Sequence, residues 1–311
     1  MPLSEQLRDL NPQQREAVRH FEGPLLVLAG AGSGKTRVLT VRAAHLVEEH
    51  GVPPERILCL TFTNRAAGEM RERIRSLLGQ RPEGLWAGTF HSFGAWLLRR
   101  HANRVGRSRR FTIYDADESL ELVERTMDRL GLDHDRFPPS AVRREIEDAK
   151  HYLVTPDAYE VMLGPEPEPY EEACRHVYGA YRDALERQDA LDFGDLLMKA
   201  VELLRDHPEV RGRYRSRFAF LLVDEYQDTN HAQFRLVQIL GEEHRNVMAV
   251  GDDDQSIYGW RGADLRNILE FDSDFGGCRT LRLEKNYRST GHVLAAANVV
   301  IENNEQRREK S

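Results

Sequence analysis

The sequence predicts an α/β protein: a mostly parallel sheet flanked by helices, interrupted by an all-helical insertion. Three observations carry this. The apolar run Leu25-Leu26-Val27-Leu28 turns through a glycine-rich loop into Val38, Leu39, Val41, Ala44, His45 and Leu46 at helical spacing. Short apolar runs recur at 57–62, 85–90, 218–223, 246–250 and 280–283, and helical patterns follow most of them. From about Phe111 to Gln188 the texture is helical throughout, with no internal repeat.

At 311 residues the chain has room for two or three domains and a sizeable core. Its 40% apolar and 31% charged residues describe a soluble globular protein. No apolar run approaches a membrane span, and residues 1–10 carry acids and no signal-peptide core. Cys59, Cys174 and Cys278 are far apart and form no metal or redox spacing, so a reducing, cytoplasmic compartment is expected, with Cys59 in the core. The net charge of −7 excludes a general electrostatic blanket for nucleic acid, so any such contact must be local. The candidate stretches for such a contact are the arginines of 99–110 and 211–217, although taken alone they read better as solvated helix faces or loops. Only five of the 44 basic residues are lysines, which makes Lys35, Lys150, Lys199, Lys285 and Lys310 each worth inspecting.

Along the chain, Asn11 is placed to cap a short helix that starts at Pro12. Gln14 on that helix is either a surface amide or a reader of adenine's donor and acceptor edge, and spacing does not choose. The loop Ala29-Gly30-Ala31-Gly32-Ser33-Gly34-Lys35-Thr36 then has the setting of a phosphate cradle. Its glycines let amides curl round an anion, the helix N-terminus adds positive dipole, Lys35 reaches the β and γ phosphates, and Thr36 offers a hydroxyl to Mg²⁺. Ala29 stands where the strict pattern has glycine. The runs at 57–62 and 85–90 place Phe62, Thr63, His91 and Phe93 at the carboxyl edge of the sheet, where they either pack or offer stacking platforms.

The helical segment contains a helix from Asp115 to Leu130 ended by Gly131, another opened by Pro138-Pro139-Ser140, a turn at Pro165-Glu166-Pro167-Glu168-Pro169, and a helix from Tyr170 to about Gln188. The sheet pattern then resumes, and the run 218–223 ends in Asp224-Glu225-Tyr226-Gln227-Asp228. There Asp224 can hold Mg²⁺ and Glu225 can deprotonate an attacking water. After 246–250 come Asp252-Asp253-Asp254-Gln255, with Gln255 able to sense a γ-phosphate, and then Tyr258 and Trp260, which suit stacking on bases. The three aspartates also raise a second metal site, although metal ligands usually alternate along the chain. A last strand, 280–283, leads to Tyr287 and Arg288 and to a helix from about Gly291.

Together these stretches resemble the UvrD/PcrA/Rep group of superfamily 1 DNA helicases. The carrying blocks are residues 10–18, 29–36, 61–70, 88–93, 223–228, 251–262 and 283–290, in matching order and spacing. The resemblance implies a RecA-like P-loop NTPase domain that uses ATP and Mg²⁺ and acts on single-stranded and duplex DNA. It implies that Gln14 and Arg37 contact the adenine and Tyr287 stacks on it. Ala29 to Thr36 would hold the phosphates, with Thr36 and Asp224 on the metal, Glu225 as base, Gln255 as γ-phosphate sensor and Arg288 as an arginine finger. Phe62, Thr63, Asn64, His91, Tyr258, Trp260 and Arg261 would line the DNA path, with translocation 3′ to 5′.

The expected organisation is motor domain 1A over 1–108 and 196–279, the helical insertion 1B over 109–195, and the start of a second motor domain, 2A, over 280–311. The chain is accordingly expected to be the N-terminal portion of a longer helicase, with repair or replication proteins as associates and little unwinding by itself. Two alternatives stand beside this reading: the helicase part of an ATP-dependent helicase–nuclease, and a nucleotide-gated DNA-binding module that never translocates.

Overall fold

The computed structural model describes residues 3–79, 82–259 and 262–301. Among them the strands are, in chain order, β1 (Leu25–Ala29), β2 (Ile57–Thr61), β3 (Trp86–Thr89), β4 (Thr112–Tyr114), β5 (Ala190–Asp192), β6 (Phe220–Val223), β7 (Val247–Gly251) and β8 (Arg279–Leu283). Two compact units result. One comprises Met1–Phe90, Pro208–Asn230 and Val237–Ser311, the other His91–His207 and His231–Leu236.

The first unit is built on a six-stranded sheet in the order β3-β2-β6-β7-β1-β8. Every neighbouring pair is parallel. β1, β2, β6 and β7 are buried along their whole length. That is why they read as continuous apolar runs rather than alternating ones. The helix Lys35–Glu48 adds Val38, Leu39, Val41, Ala44 and Leu46 to the core around the sheet. Each such side chain, fully buried, contributes about 1.5–3 kcal/mol. Because all six strands run the same way, the segments that follow them leave at one edge. β8 straddles the boundary expected at residue 280 and pairs with β1 from Leu25↔Arg279 to Ala29↔Leu283, completing this sheet.

The short helix Pro12–Arg19 starts as its sequence demands, with a capping box between Asn11 and Gln14 and proline in the first turn. Its far end is closed by a side chain that composition gave no reason to single out. Arg42 is 1% exposed, and its guanidinium donates to the carbonyls of Ala17 (3.1 Å), Val18 (3.5 Å) and Phe21 (3.3 Å). A helix leaves its last carbonyls without internal partners. Here a buried cation from the helix Lys35–Glu48 takes them, and so fastens the helix that carries Gln14.

The second unit contains the helices Ala116–Leu130, Pro139–His151, Pro156–Leu163, Pro169–Arg187 and Phe193–Asp206. The first four share a core that includes Leu122, Val123, Ile146, Val177, Tyr178 and Leu185. Asp115 caps the first of these helices with a capping box, and Gly131 ends it in the left-handed region at φ 67°. The segment is not all helix, however. β4 and β5 pair in parallel from Thr112↔Ala190 to Tyr114↔Asp192. Three-residue strands so far apart in sequence leave no hairpin signal, which is why the expectation of an all-helical insertion fails here.

The arginines of 99–110 are not simply solvated. Arg107 is buried and donates to the Ala190 carbonyl, while Arg99 and Arg100 lie over the rings of Phe111 and Trp96. Lys150, one of the few lysines, is also buried. Its ammonium lies 2.7 Å from Asp192 Oδ2 and 2.8 Å from Asp195 Oδ1, and the Tyr181 hydroxyl donates to the same Asp192 oxygen at 2.9 Å. Asp192 and Asp195 form the capping box of the helix Phe193–Asp206, so Lys150 ties the helix Pro139–His151 to that helix start. Removing the cation strands two buried carboxylates. Lys150→Met should therefore cost about 3–5 kcal/mol and lower the thermal midpoint of this unit. An unchanged unfolding curve would show that the pair carries no net stability.

Candidate functional site

The phosphate-type loop leaves β1 and closes within five residues. Gly32 and Gly34 lie at φ 70° and 92°, a region that glycine enters without strain. The Ser33 amide and hydroxyl both donate to the Gly30 carbonyl, the hydroxyl at 2.7 Å. Gly34 then sits at the N-cap of the helix Lys35–Glu48. Ala29 is the last residue of β1, in extended backbone and part of the core cluster. A methyl is accommodated there, which accounts for alanine where the strict pattern has glycine.

Two links join this loop to the end of β6. Lys35 Nζ lies 2.9 Å from Glu225 Oε2, and the Thr36 hydroxyl donates to Asp224 Oδ2 at 3.1 Å. Glu225 itself occupies the left-handed region at φ 51°, and its amide donates to Asp224 Oδ1. A non-glycine residue held there costs about 1–2 kcal/mol, and the turn aims the carboxylate at Lys35. Asp224 is 3% exposed, and burial, with Glu225 adding to it, pushes its carboxyl up to about 6. A buried carboxylate beside a hydroxyl and a second acid is a site whose charge a divalent cation would relieve, and the oxygen donors suit Mg²⁺.

The turn after β7 comes to the same place. Asp252 Oδ2 lies 3.9 Å from where a Cβ on Gly30 would stand, and it accepts from the Gln255 side-chain amide. From the end of β8 a further segment crosses the loop. Tyr287 N–H donates to the Gly32 carbonyl at 2.9 Å, Asn286 donates to the Ala31 carbonyl, and a methyl on Gly32 would meet Arg288 Cβ at 2.5 Å. On the other side of the loop, Gln14 Nε2 donates to the Ser33 carbonyl at 2.8 Å while Gln14 Oε1 accepts from Asn11 N–H. At the end of β2, Phe62 stacks on Tyr258 with ring centroids 5.2 Å apart.

This geometry can be set beside known proteins. The family model described as UvrD/REP helicase N-terminal domain matches residues 10–276. The chain belongs to that family. Among curated relatives it is 45% identical to the ATP-dependent DNA helicase PcrA of Staphylococcus aureus (strain Mu50 / ATCC 700699) over 305 residues, covering 98% of this chain and 41% of the relative. The PcrA of Bacillus subtilis (strain 168) matches at 45% over the same share of both chains, and that of Leuconostoc citreum at 45% over 299 residues. The chain thus spans about two-fifths of the length of these relatives, 41%, 41% and 40% respectively.

Within this helicase-family domain the expected nucleotide residues Gln14, Gly30 to Thr36, Asp224, Glu225, Gln255, Tyr287 and Arg288 gather at one edge of one unit. Gln14 is 2% exposed rather than a surface amide. Arg37 donates to Gln6 Oε1 at 3.1 Å and lines a cavity of about 430 Å³ with Gln6, Thr40, Arg73 and Leu77. Tyr287 is exposed, with its hydroxyl accepting from Asn11 Nδ2 at 3.0 Å. Thr63 caps the helix Asn64–Leu78 through the Ala66 amide, and Asn64 is exposed at that helix start. His91 belongs to the second unit, edge-on to the half-exposed ring of Phe193 at 5.6 Å. Trp260 and Arg261 lie outside the described residues. No helix among the described residues is long and apolar enough to cross a membrane.

Two residues of this neighbourhood escaped the sequence reading as individuals: Gln227 and Asn286 sat inside quoted blocks without a role of their own. In the second unit, Phe193 carried no signal beyond following Asp192.

Gly34→Ala tests the loop. The new methyl would be held at φ 92° and 2.9 Å from Gln14 Nε2, so loop and helix start must shift. A loss of about 1–2 kcal/mol corresponds to about 5- to 30-fold weaker nucleotide binding in a fluorescent-nucleotide titration. Unaltered affinity would mean that the loop does not cradle the phosphates.

Proposed function

We propose that this chain is the nucleotide- and DNA-engaging part of an ATP-dependent DNA helicase that translocates 3′ to 5′ on single-stranded DNA and opens duplex. The observation that carries the reading is the joining of loop to acids, Lys35 to Glu225 and Thr36 to Asp224. The names of the relatives, ATP-dependent DNA helicase PcrA, support the choice of nucleotide and polymer.

On this reading the triphosphate lies in the loop 30–34, ahead of the amides that open the helix Lys35–Glu48. Lys35 exchanges Glu225 for the β and γ phosphate oxygens. Glu225, freed of its cation, accepts the proton of the attacking water. Thr36 and Asp224 hold Mg²⁺, which supplies positive charge at the phosphates. Gln255 meets the γ-phosphate, and Arg288 stabilises the charge that develops on it. Gln14 has one amide hydrogen and one carbonyl lone pair beyond its bonds to Ser33 and Asn11, and these face adenine together with Arg37, while Tyr287 stacks on the base. Phe62, Thr63, Asn64, His91, Tyr258, Trp260 and Arg261 grip the strand through bases and phosphates. The motor domains are 1A over 1–108 and 196–279 and the start of 2A over 280–311, with the helical insertion 1B over 109–195.

Glu225→Gln in the full-length protein should keep Mg·ATP affinity within a few-fold while hydrolysis falls at least about a hundredfold. An unchanged turnover number removes Glu225 from the role of base. The 311-residue chain alone, which covers 41% of its relatives' length, should separate no strands and show no DNA-stimulated hydrolysis, because catalysis and stepping need a second motor domain. Robust unwinding by this chain would overturn the two-domain mechanism.

A further inference from the structure

We propose that Gln227 is a positioning residue that keeps Glu225 in place when Lys35 leaves it, and locks that base to the turn leading to Tyr258. The proposal rests on the reading of Glu225 as the base. Glu225 Oε2 has two donors: Lys35 Nζ at 2.9 Å and Gln227 Nε2 at 3.0 Å. When Lys35 turns to the phosphates of a nucleotide, the carboxylate loses its cation. It keeps the bond from Gln227, a neutral donor whose place does not depend on the nucleotide. Glu225 therefore holds its aim at the moment at which it is needed.

The other end of the same amide reaches the neighbouring strand. Gln227 Oε1 accepts from the Asp252 N–H at 3.0 Å, directly after β7. Chemistry fixes which end is which. Glu225 and Asp228, whose Oδ2 lies 3.2 Å from Nε2, demand a donor, and the backbone N–H demands an acceptor. From Asp252 the link runs on: its side chain accepts from Gln255, and the Ser256 hydroxyl returns to the Gln227 carbonyl at 3.2 Å. Two residues later Tyr258 stacks on Phe62. One buried amide, 1% exposed, therefore joins the base, the Gln255 turn and the aromatic pair.

The fold makes room for this amide. A Cβ on Gly251 would stand 2.6 Å from Gln227 Oε1 and 2.8 Å from Ile268 Cδ1. The backbone at the end of β7 can approach Gln227 this closely only because residue 251 has no side chain. That gives a second way to disturb the joint, from the β7 side and with Gln227 itself kept in the sequence.

The test compares Gln227→Met, which keeps length but forms neither bond, with Gly251→Ala, in the full-length protein. Both should lower kcat for ATP hydrolysis on single-stranded DNA about 10- to 100-fold, with KM for ATP within about threefold. The ratio of rates with and without DNA should fall towards one, since the turn no longer reports to the base. A wild type that hydrolyses no ATP with or without DNA overturns the reading of Glu225 and this proposal with it. With an active wild type, variants that keep both kcat and the DNA stimulation overturn the positioning role alone. So does a loss in which nucleotide binding and thermal midpoint fall together in both variants, because Gln227 would then be only a structural support.

Discussion

The ion pair between Lys35 and Glu225 is the contact on which the functional edge depends. It requires the helix after β1 and the turn after β6 to meet, although β7 lies between those strands in the sheet. Parallel strands supply the common edge, since each delivers its following segment to the same side. The glycines of the loop then set where Lys35 begins its helix, and the left-handed backbone at Glu225 turns its carboxylate back towards it. If any of these elements shifts by one residue, the pair is lost, because side chains on a strand change face with each step.

This edge is held together at a cost. Burial, reinforced by Glu225, raises the carboxyls of both Asp224 and Asp228 to about 6. Acids whose folded-state pKa lies above the ordinary value of 3.8 bind protons more tightly when folded. The sign follows: their contribution favours the fold at low pH and is lost as pH rises through about 4 to 6. At neutral pH the fold therefore holds three neighbouring carboxyl groups against one lysine, with Glu225 in strained backbone besides. Sites that bind a cation and a polyanion are where such stored repulsion is expected, because the ligand's charge offsets it.

Much of the sheet was legible because its strands are buried on both faces and so stand out as apolar runs, and because the loop at 29–36 joins a strand to a helix in a way few other patterns do. The capped helices were legible for a similar local reason, as at Asp115 and Gly131. What escaped was non-local. The pairing of β4 with β5, the carbonyl-binding role of Arg42 and the knot at Lys150 each join segments far apart in sequence, and no spacing announces them. At the candidate site, the glycines, Lys35, Asp224 and Glu225 could be picked out from residue type and order. The choice for Gln14 could not, since a surface amide and a base-reading amide look alike in sequence; burial against the Ser33 carbonyl removes only the surface reading. Gln227 was hidden for the opposite reason: it stands between two acids of a motif whose neighbours already had roles.

The net charge of −7 and the positions of the arginines constrain how a nucleic acid is held on the proposed reading. Arg42 and Arg107 are buried on backbone carbonyls, and Arg215 donates to the Ile239 carbonyl and pairs with Glu243. Arg99 and Arg100 lie over aromatic rings of their own unit. Cations engaged in this way are not offered to phosphates, so any counterion release falls to other basic side chains. Stacking is the second source, for which the pair Phe62 and Tyr258 stands at the strand edge and His91 with Phe193 in the other unit. Stacking tolerates any base, because every base has a π-face. A motor that moves along a strand of arbitrary sequence needs that tolerance, because each step must release bases as readily as it captures them.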